Sequence, residues 1–205
     1  EGMIGLATSH TLPVMAPWGS IDKILGISPL AIAIPAGEET PLVLDLAFSA
    51  AAVGKIKIYG QKGLPIPDTW AFDADGNPTT DPATAVAGLL QPIGGYKGTG
   101  LALAFGILAA VLSGASYGTE LGNTVDGPIP GQDSHLFMAL KVAAFAEPAT
   151  FRQRVDGIIH QIRTGRPAPG VTRIYTPGEL ETDTEAHYRV EGIPLTAATL
   201  NDLVA

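Results

Sequence analysis

The residues best suited to chemistry stand at Gly94-Gly95-Tyr96-Lys97-Gly98-Thr99-Gly100, directly before a long apolar run. Glycines let a backbone approach a ligand closely. Free amides at a helix N-terminus favour phosphate, and a lysine adds a compact positive charge. The combination points to a phosphorylated ligand such as a dinucleotide. It fits neither common fingerprint: a Walker loop has four residues between its glycines and Ser or Thr after its lysine, and Gly98-Thr99-Gly100 lacks the third glycine of the Rossmann pattern. A glycine-rich turn carrying a solvated lysine accounts for the same residues equally well.

Asp45 is a second candidate, because it ends the apolar run Pro41-Leu42-Val43-Leu44. A carboxylate there could orient a histidine or hold a ribose, and capping of a following helix is the simpler alternative. The histidines, His10, His135, His160 and His187, match no metal-ligand spacing. His10, just after a first strand, either lines a pocket or completes a polar turn. His135 stands where a strand begins, His160 on an amphipathic helix, and His187 in a polar stretch. Asp73-Ala74-Asp75-Gly76-Asn77 has its glycine two places too early for a calcium loop, and Thr84 stands where a bidentate Glu is needed. A turn is expected there, and no metal site.

Elements must position these groups. Met3 to Ala7, Pro29 to Pro35, Pro41 to Asp45 and Leu136 to Leu140 read as strands, the second and third as a hairpin. Lys55 to Tyr59 alternates like a strand, and Ala47 to Val53 before it could be a helix. Residues 60 to 96 form a long excursion with turns at Asp75-Gly76 and Asn77-Pro78. Leu101 to Leu112 is apolar on every side, shorter than the ~20 residues of a membrane span, and is expected as a fully buried helix. Phe151, Val155, Ile158, Ile159 and Ile162 have helical spacing, with Gly165 placed to end that helix. Leu195 to Leu203 reads as a short final helix with Thr196 as its cap.

Composition narrows the function classes. Of 205 residues 46% are apolar and 16% charged, which permits a large core and argues against disorder. The formal net charge of −8 makes nucleic acid and anionic membrane poor partners. The absence of cysteine removes disulfides and thiolate chemistry. No basic segment followed by an apolar run opens the chain, so nothing points to secretion and a cytoplasmic location is expected. The chain opens on Glu1 and enters a strand at Met3, which reads as a piece of a longer polypeptide.

Taken in order, these segments resemble the type-2 malate/L-lactate dehydrogenase family, which includes ureidoglycolate and sulfolactate dehydrogenases, diketogulonate reductase and piperideine-2-carboxylate reductase. The residues that carry the resemblance are Pro13 to Gly19, Leu25 to Ala31, Pro41 to Ala47, Trp70 to Pro82, Gly94 to Gly98, Tyr175 to Glu179 and Glu191 to Leu195. They span nearly the whole chain.

The resemblance implies an α/β, non-Rossmann NAD(P)-binding fold of the malate/L-sulfolactate dehydrogenase type, with a mixed sheet packed by helices. It implies an oxidoreductase that moves hydride between NAD(P)H and a small 2-oxo or 2-hydroxy acid, working as a homodimer. The implied cofactor contacts are Thr11, the run Pro41, Leu42, Val43, Leu44, Asp45, Leu46 and Ala47, then Tyr96, Lys97, Gly178 and Glu179. Asp45 resembles the family aspartate that supports the catalytic histidine. That histidine lies upstream of the counterpart of Gly2, and none of the four histidines matches it. The chain is therefore expected to be incomplete, with residues 1–170 as the NAD(P)-binding domain and 171–205 returning to an absent N-terminal domain for substrate and dimerisation, present in the same subunit or as a separate chain. A non-catalytic cofactor-binding or regulatory module retaining this fold is the alternative. NADP-using relatives carry basic residues just after the equivalent of Pro35. Here Ala36-Gly37-Glu38-Glu39 offers two carboxylates, so NAD is expected, with NADP possible.

Overall fold

A computed structural model describes residues 2–122 and 127–204. The fold is α/β. The chain divides into two compact units. One comprises residues 34–43 and the stretch from 142 onward, with Gly2; the other comprises 3–33 and 44–141.

A four-stranded sheet is formed by β1 (Met3–Ser9), β2 (Leu30–Ile34), β3 (Leu42–Leu46) and β6 (His135–Lys141), in the order β3-β2-β1-β6. β1 runs antiparallel to both of its neighbours, with Gly5 opposite Ala33 and Ser9 opposite His135. The four apolar runs read from sequence become these strands. Met3, at the start of β1, is exposed, and most of that strand is only half-buried.

Two expectations change. Lys55 to Tyr59 is not a strand but part of helix α1 (Val53–Gln61), and residues 47–52 are not helical. The reason lies in Trp70. Lys55 Nζ sits 4.8 Å from its ring centre and Tyr59 meets it edge-on at 5.2 Å. Residues four apart share a helix face, and only a helix delivers both to one indole. The same winding buries Ile56 in the core and leaves Ile58 exposed, so the Lys-Ile-Lys-Ile alternation is not realised. The excursion from residue 60 also has structure of its own. It contains a two-stranded ladder of β4 (Ala71–Phe72) and β5 (Leu89–Leu90), with α2 (Pro82–Ala87) between them. Asp81 caps α2 by accepting from the Thr84 amide at 2.7 Å. Asp73 accepts from the amides of Asp75 and Asn77 at 2.9 and 2.8 Å, and Gly76 takes a positive φ of 84°. The carboxylate that a calcium loop would use thus closes the expected turn.

Helix α3 (Tyr96–Ala109) corrects a third expectation, since it is not fully buried. Its buried positions are Gly98, Ala102, Gly106 and Ala109, a stripe of small residues, while Leu101, Leu103, Ile107 and Leu108 are 41–44% exposed. With the following turn, Tyr96–Ser113 reaches the length and hydropathy of a membrane span. The packed stripe instead identifies a helix that leans on a core through its smallest residues. That core joins Met15, Leu25, Phe48, Ile56, Leu90 and Ala102, and Phe48 stacks on Phe105 at 5.5 Å.

The smaller unit holds α4 (Pro148–Arg163), α5 (Glu179–Glu191) and α6 (Ala197–Val204). Glu147 caps α4 through the amides of Ala149 and Thr150, Pro148 opens it, and Val155 and Ile159 are its buried face. The helix ends at Arg163, and Thr164 rather than Gly165 is its C-cap. Thr196 caps α6 at the Thr199 amide, as its sequence suggests. α5 is the one long helix without an apolar signature. Its marks are chemical: Glu179 and Glu181 in the first turn, Arg189 in the last and Gly192 just beyond, an arrangement that favours the helix dipole.

A methyl group at Gly98 would stand 2.2 Å from the Ile93 carbonyl oxygen, whereas one at Gly100 meets nothing within 4 Å. Gly98→Ala should therefore lower stability by about 1–3 kcal/mol, the range for overpacking. Gly100→Ala should raise it by about 0.5–1 kcal/mol, the helical advantage of Ala over Gly. Urea unfolding of the two variants checks the opposite signs.

Candidate functional site

In the larger unit, backbone hydrogen bonds bring the expected contact residues into one neighbourhood. Thr11 Oγ1 accepts from the Ile27 amide at 3.0 Å. Ile27 in turn accepts from Phe48, which follows Asp45-Leu46-Ala47, and Phe48 accepts from Ile93, one residue before the glycine loop. Gly26 makes the first of these approaches possible, since a Cβ there would lie 2.2 Å from the Thr11 carbonyl oxygen. Thr11, Leu44 to Ala47, Tyr96 and Lys97 are thus linked through Ile27, Phe48 and Ile93.

The glycine loop opens α3 as its sequence indicates. Gly94 and Gly95 have φ of 60° and 64°, and Gly95 is the N-cap. Both conformations are natural for glycine. A Cβ on Gly95 would stand 2.9 Å from the Trp18 ring, and the Trp18 amide donates to Thr99 Oγ1 at 2.9 Å. The first turn of α3 carries no acidic residue, so nothing opposes its positive end. Tyr96 and Lys97 are exposed, and no described residue pairs with the Lys97 ammonium. Beside the loop lies a cavity of about 790 Å³ lined by Trp18, Trp70, Phe72, Pro92, Gly94 and Gly95, among others. An apolar cavity with a few converging polar groups is the usual form of a cofactor site. Asp45 is exposed at the end of β3, and no described residue bonds to its carboxylate, a histidine included.

The smaller unit gathers the remaining expected contacts. The Val43 amide donates to the Pro177 carbonyl at 3.0 Å. Gly178, with φ of 94°, lies so close to Val43 that a Cβ would meet its backbone at 3.2 Å. Pro41, Leu42 and Val43 therefore run beside the loop that carries Gly178 and Glu179. Glu179 is not a free loop carboxylate. It is the first residue of α5, with a side chain 5% exposed. It accepts from the Thr176 amide and pairs with Arg163, which also holds Glu39. Burial opposes ionisation of Glu179, but the Thr176 amide and the Arg163 guanidinium outweigh it and hold the carboxyl below its usual range.

Among the histidines, His135 is exposed and bonds Ser9 Oγ at 2.8 Å through Nδ1, as their direct pairing across β1 and β6 allows. His160 and His187 are exposed on α4 and α5. His10 differs. It is 1% exposed, it stacks on Tyr117 at 4.6 Å, and neither ring nitrogen has a hydrogen-bond partner. Thr8, Ser28, Ser134 and the Tyr117 hydroxyl are buried without side-chain partners as well. Ser28 Oγ and His10 Nδ1 both lie within 3.3 Å of where a Gly106 Cβ would stand. The groups thus form a buried polar cluster without partners rather than a satisfied turn. Sequence reasoning missed Tyr117, Ser28, Arg163 and Trp18 as parts of these arrangements, although Trp18 and Ser28 stood inside quoted motifs.

The family model described as malate/L-lactate dehydrogenase matches residues 1–204. The chain belongs to the malate/L-lactate dehydrogenase family. It is 40% identical over 181 residues to the L-sulfolactate dehydrogenase of Methanocaldococcus jannaschii, covering 88% of this chain and 52% of that protein. The solved structure of the sulfolactate dehydrogenase from that organism superposes with a TM-score of 0.86 at 38% identity, over 98% of this chain and 58% of that one. An NAD(+)-named ureidoglycolate dehydrogenase of Escherichia coli O157:H7 is 33% identical over 95% of this chain and 55% of its own length. An NADP(+)-named (2R)-3-sulfolactate dehydrogenase of Chromohalobacter salexigens is 39% identical over 72% of this chain and 44% of its own. The chain spans about half the length of the curated relatives it matches. As a member of this dehydrogenase family it takes the family's α/β fold, and the glycine loop, the β3 run and the Thr176–Glu179 turn are the parts to weigh as cofactor contacts.

Burial pushes the His10 imidazole below its ordinary pKa, more than Asp133 pulls it up. The folded protein then binds fewer protons than the unfolded chain once the pH drops toward about 6.5, the ordinary His value. Stability rises with pH wherever the unfolded state holds more protons. The His10 contribution is therefore complete above that pH and is lost as the pH falls below it. The lowered carboxyls of Asp73, Asp81, Glu147, Asp156 and Glu179 act only at more acid pH, since each titrates below its usual range. Urea midpoints should fall between pH 7.5 and 5.5, and His10→Asn should remove most of that slope. An unchanged slope in the variant would show that His10 is hydrated in the native state.

Proposed function

We propose that this chain supplies the NAD(P)-binding part of an oxidoreductase acting on a small 2-oxo or 2-hydroxy acid. The observation that carries the reading is the glycine loop: two positive-φ glycines that line a ligand-sized cavity, an unopposed helix N-terminus, and a Lys97 ammonium with no partner among the described residues. These features fit a pyrophosphate-bearing cofactor. A Cβ at Gly95 would meet the Trp18 ring, so the loop is kept bare on its cavity side. When bound, the nicotinamide accepts or donates the hydride.

In this reading the amides at the start of α3 and the Lys97 ammonium hold a phosphate, with Tyr96 beside them. Thr11 and the run Leu44 to Ala47 are further contacts in the same unit. Pro41, Leu42, Val43, Gly178 and Glu179 are proposed contacts in the other. Asp45, exposed and unpaired, is proposed to orient a histidine that holds the reacting proton. Such a donor suits neutral pH. We place it outside these 205 residues, because His10 is buried against Tyr117 and the other three histidines are exposed elsewhere. Residues 1–170 are proposed as the cofactor domain. Residues 171–205 are proposed to pack on further polypeptide, since α5 and α6 expose Leu180, Val190, Leu200 and Leu203. Homodimer assembly and a cytoplasmic location belong to the same reading.

Lys97→Ala tests it. Loss of a charge-assisted hydrogen bond costs about 1.5–3 kcal/mol, so NADH affinity should fall roughly tenfold to a hundredfold. The α3 packing stripe does not include Lys97, so the melting temperature should stay within a degree or two of wild type. NADH fluorescence titration with parallel melts checks both. Unchanged affinity would return Lys97 to the solvated-turn reading. Assays with pyruvate, oxaloacetate and sulfopyruvate then address the acid.

A further inference from the structure

The chain after Pro35 holds an arrangement that motif reading does not show. The amides of Gly37, Glu38 and Glu39 converge on one carboxylate, that of Asp156 on α4, at 2.8, 3.0 and 3.3 Å. Three successive backbone N–H groups turned toward one point form a nest, a concavity suited to an anion such as phosphate. Here the protein fills it with its own anion. Gly37 permits the fit, because a Cβ there would stand 2.4 Å from Asp156 Oδ2. The bonds are strong enough to hold the Asp156 carboxyl below the usual range, with the Glu38 amide the largest cause.

The surrounding charges are mostly negative. Glu38 is exposed, and its carboxylate has no partner among the described residues. Glu39 is paired with Arg163, and Arg163 is also committed to Glu179. The cation paired with this loop is therefore already shared by two carboxylates. The same bridge ties the 37–39 loop to Glu179, a proposed cofactor contact. Relatives named for NAD(+) and for NADP(+) both match this chain, so the choice of nucleotide must rest on residues that differ among them.

We propose that Asp156 is a specificity-determining residue: by filling the amide nest of residues 37–39, it excludes the 2′-phosphate of NADP. Glu38 adds repulsion and stands ready to accept from a ribose hydroxyl, as acidic residues do in NAD sites. The proposal rests on the reading above that this unit contacts the cofactor through Pro41, Leu42, Val43, Gly178 and Glu179. With Asp156 shortened, the three amides become donors to a 2′-phosphate. A carboxylate that merely closes the turn would leave nucleotide choice untouched.

The test uses adenosine fragments, read by calorimetry rather than by turnover. Wild type, Asp156→Ala and Asp156→Asn are titrated with 5′-ADP and with adenosine 2′,5′-bisphosphate. Wild type should favour 5′-ADP. Asp156→Ala should improve the bisphosphate by tenfold or more and change 5′-ADP by less than threefold. Asp156→Asn keeps an acceptor without the charge, so its gain should have the same direction and smaller size; it also serves if the alanine variant does not fold. If wild type binds 5′-ADP and neither variant alters the ratio, Asp156 is a turn cap and the proposal falls alone. If wild type binds neither fragment, the cofactor reading of this unit falls with it.

Discussion

The close approach of α3 to its neighbours is the constraint on which the larger unit depends. Gly98, Ala102, Gly106 and Ala109 form the buried side of that helix. Large side chains there would push it outward, and protein interiors are too dense to absorb the shift. Gly98 fixes the helix start against the Ile93 carbonyl. That contact sets the orientation of the glycine loop one step earlier in the chain. Gly106, two turns later, lets the helix pass close to Ser28, His10 and Tyr117. The stripe that positions the loop therefore also packs over the buried polar cluster. The large apolar residues of α3 are left on the exposed side as a consequence of this choice.

That cluster itself sets an energetic condition. A buried polar group without a partner costs about 1–3 kcal/mol, and a whole domain is stable by only about 5–15 kcal/mol. Several such groups in one place are tolerated where small polar molecules or a structural rearrangement satisfy them. Ser28 adds a backbone cost, because it is a non-glycine residue with φ of 38°. Strain and unmet polarity thus coincide in one short region, immediately beside Thr11. Regions of this kind gather near functional sites more often than in ordinary cores.

Sequence reading succeeded where local pattern and tertiary demand agree. The runs at Met3, Leu30, Leu42 and Leu136 became strands, and the spacing of Val155 and Ile159 became the buried face of α4. It failed where a distant residue decides. Trp70 draws Lys55 and Tyr59 to one side and so imposes a helix on a strand-like alternation. α5 escaped because its few apolar residues, such as Leu180 and Val190, are scattered among charged and polar ones, although its end charges and Gly192 were visible. Of the candidate site, the glycine loop was legible because its glycines and lysine are contiguous. Asp156 and Arg163 were not, since their partners in the 37–39 loop lie 117 to 124 residues away along the chain. No motif can carry a relation at that distance.

The Arg163 bridge shows why such residues matter more for position than for stability. The Glu179 side chain is almost buried, while those of Arg163 and Glu39 remain about 30% exposed. Exposed ion pairs contribute little, about 0–1 kcal/mol. A buried charge stripped of its partner, by contrast, costs about 3–5 kcal/mol. The bridge is therefore weak as a source of net stability and strong as a condition on geometry. Glu179 keeps its charge through the Thr176 amide, Arg163 and the more distant Arg173, and Arg163 reaches it from the last turn of α4. Glu39 shares that guanidinium, so the position of the 37–39 loop is coupled to the start of α5. Asp156, two turns earlier on α4, fastens the same loop through its amides. One helix thus holds both the acidic side chains and the backbone donors of this region through Asp156 and Arg163.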